Sequence, residues 1–410
     1  MFWHKEATGK LIVTGKLISL GHPLGDGLSL QLYDLSSILV INARLKGTWS
    51  VKNVNYTLMG LRGLLALLVV IFHINGSAVI EGYIDEAPKE SLRYMLNYAG
   101  PISVNLFFVI SGYLITQSLL NKPSVRDFAI NRFLRIYPVF FSIHLIIFIV
   151  GPVIGYKWMD GIGLSGYVIH FISNALLLPG MFDLPIAQIV AWSLSYELFF
   201  YVIAAAIWCI YRSTRATTLK KYILYSFMVT ICLVTVYYRN DMLYFVVGVV
   251  LFFSQDRIKR SWKPSRLFYL DGVIVLAAIY LSYHFMKVPI IVALVLSFLL
   301  FVPIIMEYGL LSQFLRTKFM RYLGAISFSL YMWHTMVMFP LKIIVPKISN
   351  FIGSSSFAFA IYALLSLVLS IFVAHLSYRC IEGRFTKYLK TKWVRRNGVS
   401  LESEFMVRRG

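Results

Sequence analysis

The chain contains the run Leu61-Arg62-Gly63-Leu64-Leu65-Ala66-Leu67-Leu68-Val69-Val70-Ile71-Phe72-His73, in which an arginine and a histidine interrupt apolar residues. The run is long enough to begin a membrane-spanning helix, where ionisable side chains are costly and tend to face a polar cavity. Eleven residues separate Arg62 from His73, so both side chains lie on one helix face, about 16 Å apart along the axis. We therefore expect a first span that carries part of a functional site.

The composition indicates a polytopic membrane protein. Of the 410 residues, 59% are hydrophobic and 14% are charged, whereas soluble domains are about 25% charged. We predict an all-α fold with about ten transmembrane helices, and we predict that the run at 164–180 forms one short interfacial or re-entrant helix. The predicted spans are 58–80, 101–120, 136–155, 190–211, 222–239, 241–254, 267–284, 288–306, 323–345 and 357–379.

The distribution of positive charge predicts the topology. With both termini cytoplasmic, the cytoplasmic segments after the N-terminal region hold 25 lysines and arginines, and the opposite loops hold six. Such a bias is typical of cytoplasmic loops. The net charge of +21 is therefore interpreted as a topology signal in a multi-pass protein of the cell inner (plasma) membrane, in contact with membrane lipids, and a nucleic-acid partner is not expected.

Three regions are predicted along the chain. Residues 1–57 are expected to be a cytoplasmic N-terminal tail, disordered or added by a misplaced translation start, and residues 58–385 the membrane domain. Residues 386–410 are expected to be a basic cytoplasmic tail near anionic lipid. No cleavable signal peptide is expected, since the first long apolar run begins near residue 58. The three cysteines have no spacing typical of metal ligands, so no metal site is predicted.

A second polar stripe follows Ala191. Ser193, Glu197 and Tyr201 recur every four residues and share one helix face. If this helix starts at the outer membrane edge near residue 190, Glu197 lies about 10 Å below that edge, at a depth similar to that of His73. A carboxylate that meets a histidine fixes its tautomer and raises its basicity, as a general base requires. The alternative is a structural pair that joins two helices.

Three further segments carry polar residues. Arg132 and Arg135 lie one turn apart at the expected cytoplasmic mouth of a helix, where they suit bidentate binding of phosphate. The alternative is that they are ordinary flanking charge.

A third polar stripe consists of Ser327, Tyr331 and His334. Its alternative interpretation is an interhelical hydrogen-bond cluster. The Ser111-Gly112 pair predicts close helix approach.

Together these motifs resemble the acyltransferase 3 family of integral-membrane acyltransferases over about residues 56–385. The matching segments are Arg-x10-His (Arg62 to His73), Phe-Phe-x-x-Ser-Gly-[Phe/Tyr]-Leu-Ile (Phe107 to Ile115), Arg-x-x-Arg (Arg132 to Arg135), Trp-Ser-Leu-x-x-Glu (Trp192 to Glu197) and Ser-[Tyr/Phe]-x-x-Tyr-x-x-His (Ser327 to His334). Met59 stands where the family often has an acid, and no extracytoplasmic esterase-like domain is evident.

The resemblance implies an enzyme that transfers an acyl group, usually acetyl, from cytoplasmic acyl-CoA to a sugar hydroxyl of a surface polysaccharide, lipopolysaccharide or oligosaccharide, which can be lipid-linked. In this interpretation Arg62, Arg132 and Arg135 bind the donor, and His73 with Glu197 provides the base. The acyl path or substrate site would use Ser111, Trp192, Ser193, Ser327, Tyr331 and His334. A covalent acyl carrier, either His73 or Ser111, is left open, as is a succinyl donor. The competing class is a transporter or flippase of a lipid-linked sugar without acyl chemistry.

Overall fold

The computed structural model describes residues 55–121, 124–156, 159–214, 217–264, 266, 269–285, 289–352 and 355–396. Their regular structure is helical, apart from one isolated bridge between Pro179 and Phe182. The helices are α1 (Tyr56–Ile80), α2 (Leu96–Asn121), α3 (Val125–Val150), α4 (Leu164–Ala175), α5 (Trp192–Arg212), α6 (Thr218–Tyr238), α7 (Leu243–Ser261), α8 (Asp271–Phe285), α9 (Ile290–Ile305), α10 (Gly309–Leu315), α11 (Lys318–Ile352), α12 (Ser355–Ser377) and α13 (Thr386–Arg396).

The architecture is that of an all-α polytopic membrane protein. Each of the ten predicted spans overlaps a helix, and seven helices in the described ranges are long and apolar enough to cross a membrane. The other three predicted spans correspond to α7, α8 and α9, of which α9 is bent by 67° against α10. The predicted tail 1–57 lies almost entirely outside the described residues, as does the chain beyond 396.

Glycines allow the central helices to approach closely. A Cβ added at Gly324 of α11 would lie 2.0 Å from the Met59 carbonyl oxygen of α1. One added at Gly112 of α2 would lie 2.1 Å from the carbonyl oxygen of Phe245 in α7. Small residues permit such backbone contacts between membrane helices, which lack a hydrophobic driving force for association. The Ser111-Gly112 pair therefore has the packing role that the sequence predicts.

Helix α3 begins eleven residues before the predicted start of its span at 136. Ser124 caps it by accepting a hydrogen bond from the Asp127 amide at 3.1 Å, and an acid in the first turn suits the helix dipole. Arg132 and Arg135 consequently lie two to three turns inside a continuous helix, rather than at its mouth. Their side chains are held on a rigid element that continues past Pro138.

The helix in the run at 164–180 is too short to span a membrane. Its helix α4 has 12 residues and is about 18 Å long, short of a ~30 Å hydrocarbon core. The non-helical chain that follows is held by side-chain amides: Asn174 Nδ2 donates to the Pro185 carbonyl at 2.9 Å, and Gln188 Nε2 donates to the Met332 carbonyl of α11 at 2.8 Å. Non-helical backbone at membrane depth requires such internal partners. These contacts favour the predicted re-entrant arrangement.

Helix α5 therefore starts deep in the bundle. Its first residue, Trp192, lies with its ring 6.3 Å from the ring of Phe108, near the middle of α2. Gly180 has a φ of 102° in the preceding turn, and an added Cβ there would lie 2.8 Å from the Trp192 carbonyl oxygen, so only glycine fits this turn without strain. Residues Ile189–Arg212 are long and apolar enough to span a membrane, as predicted, but the start of α5 is level with the middle of α2, so the level of Glu197 relative to His73 differs from the prediction.

The predicted C-terminal tail begins as helix. Residues Tyr378–Phe385 form a π-helical segment that joins α12 directly to α13. Thr386 at that junction donates from its hydroxyl to the Leu134 carbonyl of α3 at 3.5 Å. Long π-helical segments are rare and are frequently found at functional sites. The predicted boundary at 385 thus lies at the junction with α13, against α3.

Candidate active site

A pocket of about 650 Å³, which includes space open to solvent, lies between α1, α2, α3, α5 and α11. Eight of the eleven predicted site residues line it, together with apolar side chains. The lining residues are Arg62, Val104, Phe107, Phe108, Ile110, Ser111, Leu114, Ile115, Arg132, Arg135, Ser193, Leu194, Glu197, Ser327, Phe328 and Tyr331. The structure thus brings together residues that are spread over more than 260 positions of the chain.

Three arginines form a cationic cluster in this pocket. No carboxylate in the described part of the chain lies within 4.0 Å of Arg62, Arg132 or Arg135. Arg132 donates through Nη2 to Ser118 Oγ at 2.9 Å, whereas its Nε and Nη1 are buried without a hydrogen-bond partner in the described structure. Its guanidinium carbon also lies 5.7 Å from the Phe128 ring centroid and 5.9 Å from that of Tyr201. Buried guanidinium donors cost free energy when they are unpaired. The cluster is consequently suited to an anionic ligand that supplies the missing acceptors.

Glu197 lies opposite α2 in the same pocket. Its Oε1 accepts hydrogen bonds from Ser111 Oγ at 3.0 Å and from the Tyr201 hydroxyl. On α2, Ser111 is fourteen residues beyond Asn97, which accepts a hydrogen bond from Asn75 Nδ2 at 3.3 Å. Fourteen residues correspond to about 21 Å along α2. Arg62 is thirteen residues before Asn75 on α1, so it lies about 20 Å from the same contact. Glu197, bonded to Ser111, therefore lies at the level of Arg62.

The predicted pairing of His73 with Glu197 is not formed. Over the ranges that the structure describes, no hydrogen bond joins the two side chains, because α5 starts at mid-bundle and places Glu197 near the arginines instead. His73 is half-buried, and its ring lies 5.1 Å from that of His334 on α11. The carboxylate and the histidine thus belong to two different levels of the bundle.

The second level is a histidine pair. His334 is fully buried, and its Nδ1 lies 3.1 Å from the Leu330 carbonyl oxygen. Since a carbonyl only accepts, that geometry assigns the proton to Nδ1 and leaves Nε2 as an acceptor. In the described structure Nε2 has no partner. His334 therefore presents an unoccupied acceptor nitrogen next to the His73 ring.

Tyr331 lies between the two levels. Its hydroxyl is 2.7 Å from Ser193 Oγ and also donates to the Val190 carbonyl at 3.2 Å. Its ring lies 6.1 Å from Phe107 on one side and 6.2 Å from His334 on the other. Tyr331 therefore closes the end of the pocket nearest His73.

Two other predicted site residues have mainly structural contacts. Ser327 lines the pocket, but its hydroxyl donates to the Gly324 carbonyl of its own helix at 2.9 Å. Trp192 does not line the pocket; its ring packs at 5.3 Å against that of Tyr196. Ser327 is thus placed beside a ligand, whereas Trp192 supports the start of α5.

Glu382 does not line the pocket, but it is a carboxylate near the arginines that sequence reasoning missed. It lies on the π-helical segment, accepts a hydrogen bond from Ser329 Oγ of α11, and interacts electrostatically with Arg62 and Arg135. One sequence signal points to it: Glu382 is the only acid between Arg379 and Arg396. Among residues of described placement, no group of three His, Cys, Asp or Glu side chains is arranged to hold a metal ion.

Comparison with known proteins gives two matches. A family model described as an acyltransferase domain matches residues 55–376. The acyltransferase MdmB of Streptomyces mycarofaciens is 32% identical over 171 residues, which are 40% of this chain and 41% of that relative. The match to this relative therefore spans less than half of either protein. No solved structure matches the chain.

Proposed function

Since this chain belongs to the acyltransferase 3 family, we propose that it transfers an acyl group from cytoplasmic acyl-CoA to a sugar hydroxyl of a surface polysaccharide, lipopolysaccharide or oligosaccharide. The proposed donor is acetyl-CoA. The family match over residues 55–376 supports acyl transfer, and the name of the matched relative agrees with it.

The observation that carries the proposal is the cluster of three arginines, none of which has a carboxylate within 4.0 Å in the described residues. Arg132 has two buried guanidinium nitrogens with no acceptor, and phosphate oxygens would satisfy them. Guanidinium forks bind phosphate bidentately, and acyl-CoA carries several phosphates. Arg132 and Arg135 are proposed to bind those phosphates, and Arg62 of α1, which lines the same pocket, is proposed to bind the donor nearer its thioester arm.

The remaining residues that line the pocket indicate which acyl group it would accept. Away from the arginines, Glu197 and the hydroxyl groups, the pocket is lined by apolar side chains such as Val104, Phe107 and Leu194. An uncharged acetyl group fits such a surface. A succinyl carboxylate would instead compete with the phosphates for the same three guanidiniums. We therefore favour acetyl over succinyl.

His73 is proposed as the general base of the transfer. It would take the proton of the acceptor hydroxyl as that oxygen attacks the thioester carbonyl, after which the carbon–sulfur bond breaks and CoA leaves as the thiolate. His334 is proposed to orient His73, in the role first assigned to Glu197. Tyr331 is proposed to donate to the developing oxyanion by turning its single hydroxyl proton away from the Val190 carbonyl, while Ser193 Oγ stays 2.7 Å from the Tyr331 hydroxyl.

The proposed membrane arrangement has ten spans, with α4 re-entrant and both termini cytoplasmic. In this topology the arginine cluster faces the cytoplasm, where acyl-CoA is found. His73 faces the other side, where an envelope glycan would lie. The protein is proposed to reside in the inner (plasma) membrane, with membrane lipids as its surroundings and acyl-CoA and the glycan as its partners.

The test is binding of acetyl-CoA to the full-length protein in lipid nanodiscs. The double variant Arg132→Ala/Arg135→Ala is expected to weaken binding by at least tenfold, since charge-assisted hydrogen bonds contribute about 1.5–3 kcal/mol each. Arg126→Ala is the control, because Arg126 is on the same helix but packs over the Trp393 ring. An unchanged dissociation constant in the double variant, or no binding by the wild-type protein, would refute the donor site and favour a transporter.

Mass spectrometry of surface glycans then tests the acceptor. A deletion strain is expected to lose an O-acetyl group, and expression of the wild-type protein is expected to restore it. Restoration by the double-arginine variant at equal membrane abundance would argue against acyl-CoA as the donor.

A further inference from the structure

At the end of α2 opposite the arginines, four aromatic rings form a tyrosine cluster. Tyr94 lies 5.8 Å from Tyr98 and 5.7 Å from His284, and Tyr98 lies 6.2 Å from Tyr283, measured between ring centroids. All four side chains are partly exposed. They come from the chain before α2, from α2 itself and from α8, so the cluster exists only in the folded bundle.

A polar floor lies beneath these rings. Asn105 Nδ2 donates to the Tyr283 hydroxyl at 3.1 Å and to Asp241 Oδ1 at 3.3 Å. The Tyr283 hydroxyl also lies 3.1 Å from that of Tyr244. Asn105 and Tyr244 are buried, while Asp241 is partly exposed. One carboxylate and several hydroxyl groups therefore lie directly below accessible aromatic faces.

The cluster differs from an ordinary aromatic belt at a membrane surface. Tyr237 and Tyr238, at the end of α6, represent such a belt: they are 83% and 72% exposed, and their rings lie 5.1 Å apart. No hydrogen bond of their hydroxyls is found in the described structure. The tyrosine cluster instead couples its rings to a buried hydrogen-bond network. That combination is typical of ligand sites, which pair aromatic walls with a few fixed polar groups.

The cluster lies at the same end of the bundle as His73. Asn97, the neighbour of Tyr98, accepts the hydrogen bond from Asn75 of α1. One turn along, a Cβ added at Gly100 would lie 2.5 Å from the ring of Phe72, the neighbour of His73. Helices α1 and α2 are thus in contact at the level of the bundle that holds both the cluster and the histidine.

We propose that the tyrosine cluster is the binding site for the pyranose ring of the acceptor. A pyranose has an apolar face of C–H groups, which packs on aromatic rings. It also has a rim of hydroxyl groups, which can donate hydrogen bonds to a carboxylate such as that of Asp241. This inference rests on the proposed function, because it locates the acceptor of that transfer. It places the sugar at the His73 end of the bundle and the donor phosphates at the arginine end.

Saturation-transfer NMR on the full-length protein in nanodiscs tests the proposal, with methyl β-D-glucopyranoside as the probe and no acyl-CoA present. The wild-type protein is expected to transfer saturation to the sugar C–H protons. Tyr98→Ala and Asp241→Asn are each expected to reduce that signal at least threefold. Tyr237→Ala, the matched aromatic control, is expected to bind as the wild type does. Unchanged melting temperatures establish that the variants are folded.

Three results would overturn the proposal. These are the absence of transfer in the wild type, a wild-type signal in either Tyr98→Ala or Asp241→Asn, and an equal loss in Tyr237→Ala. Asp241→Asn changes charge with little change in shape, so it keeps the test valid should Tyr98→Ala fail to fold. Because acyl-CoA is left out, failure here is distinct from failure of the donor site, which acetyl-CoA binding reports separately.

Discussion

Ser111 Oγ donates a hydrogen bond of 3.0 Å to Glu197 Oε1 across the pocket, from the middle of α2 to the first turns of α5. The two residues are 86 positions apart in the sequence. Their contact defines the level of the bundle at which the arginines also lie. That level is distinct from the level of the histidine pair, so the proposed donor binding and the proposed proton transfer can be tested independently.

Removing the Ser111 hydroxyl is expected to slow acyl transfer about tenfold, because Glu197 lines the proposed acyl pocket and would lose one of the two hydrogen bonds that hold it there. Glu197 would keep only the Tyr201 hydroxyl as donor, and a hydrogen bond to a charged group contributes about 1.5–3 kcal/mol. Acetyl-CoA affinity is expected to stay within twofold in Ser111→Ala, because the arginines are untouched. Single-turnover kinetics measures the rate. A wild-type rate would show that this hydrogen bond is dispensable.

Replacing His73 is expected to abolish transfer but not donor binding. A general base accelerates proton transfer by about 10²–10⁴-fold, and His73 lies outside the pocket. Glycan O-acetylation in cells with His73→Ala at normal membrane abundance measures the effect, and His334→Ala is expected to have a smaller one. His375→Ala is the control, since His375 pairs with Tyr322. Wild-type acetylation in His73→Ala would eliminate His73 as the base.

Removing the charge of Glu382 is expected to strengthen donor binding. The carboxylate attracts Arg62 and Arg135, and Glu382→Gln leaves more positive charge for the phosphates while retaining an acceptor for Ser329. We expect acetyl-CoA to bind about fivefold more tightly, the equivalent of about 1 kcal/mol. The gain should shrink with added salt, because salt screens charge. Weaker binding would mean that Glu382 holds the arginines in place.

Adding a methyl group at Gly324 is expected to destabilise the bundle. The new Cβ would lie 2.0 Å from the Met59 carbonyl, and overpacking costs about 1–3 kcal/mol. Gly76→Ala is the matched control on α1: no described atom lies within 4 Å of its Cβ position, and alanine is the better helix former. Melting temperatures in nanodiscs should fall for Gly324→Ala and be unchanged or higher for Gly76→Ala. Equal melting temperatures would contradict the close contact.

Most of the helices, and most members of the candidate site, follow from sequence patterns. Apolar runs of membrane length predict helices wherever the structure has long ones, because a spanning segment must satisfy its backbone internally. Polar residues at helical spacing predict a shared face, and eight of eleven predicted site residues do line one pocket. Glu382 was not predicted, because it is a single acid in a basic segment and forms no repeating polar pattern at helical spacing.

Sequence patterns could not predict the depth of each side chain along the helix bundle. The estimate for Glu197 assumed that an apolar run starts at the membrane surface. The chain before α5 instead enters the bundle, held by hydrogen bonds from Asn174 and Gln188 to distant carbonyl groups. Those contacts are specific to the folded state and leave no signature in hydropathy.

The sequence by itself determined that this is a helical membrane protein of the acyltransferase 3 family and which side chains are available for chemistry. Only the tertiary structure decided which of them meet. It paired Glu197 with Ser111 beside the arginines, and it paired His73 with His334 behind Tyr331. The physical reason is that helical periodicity determines the face on which a residue lies, whereas the level of one helix against another depends on interhelical packing and on where each helix begins.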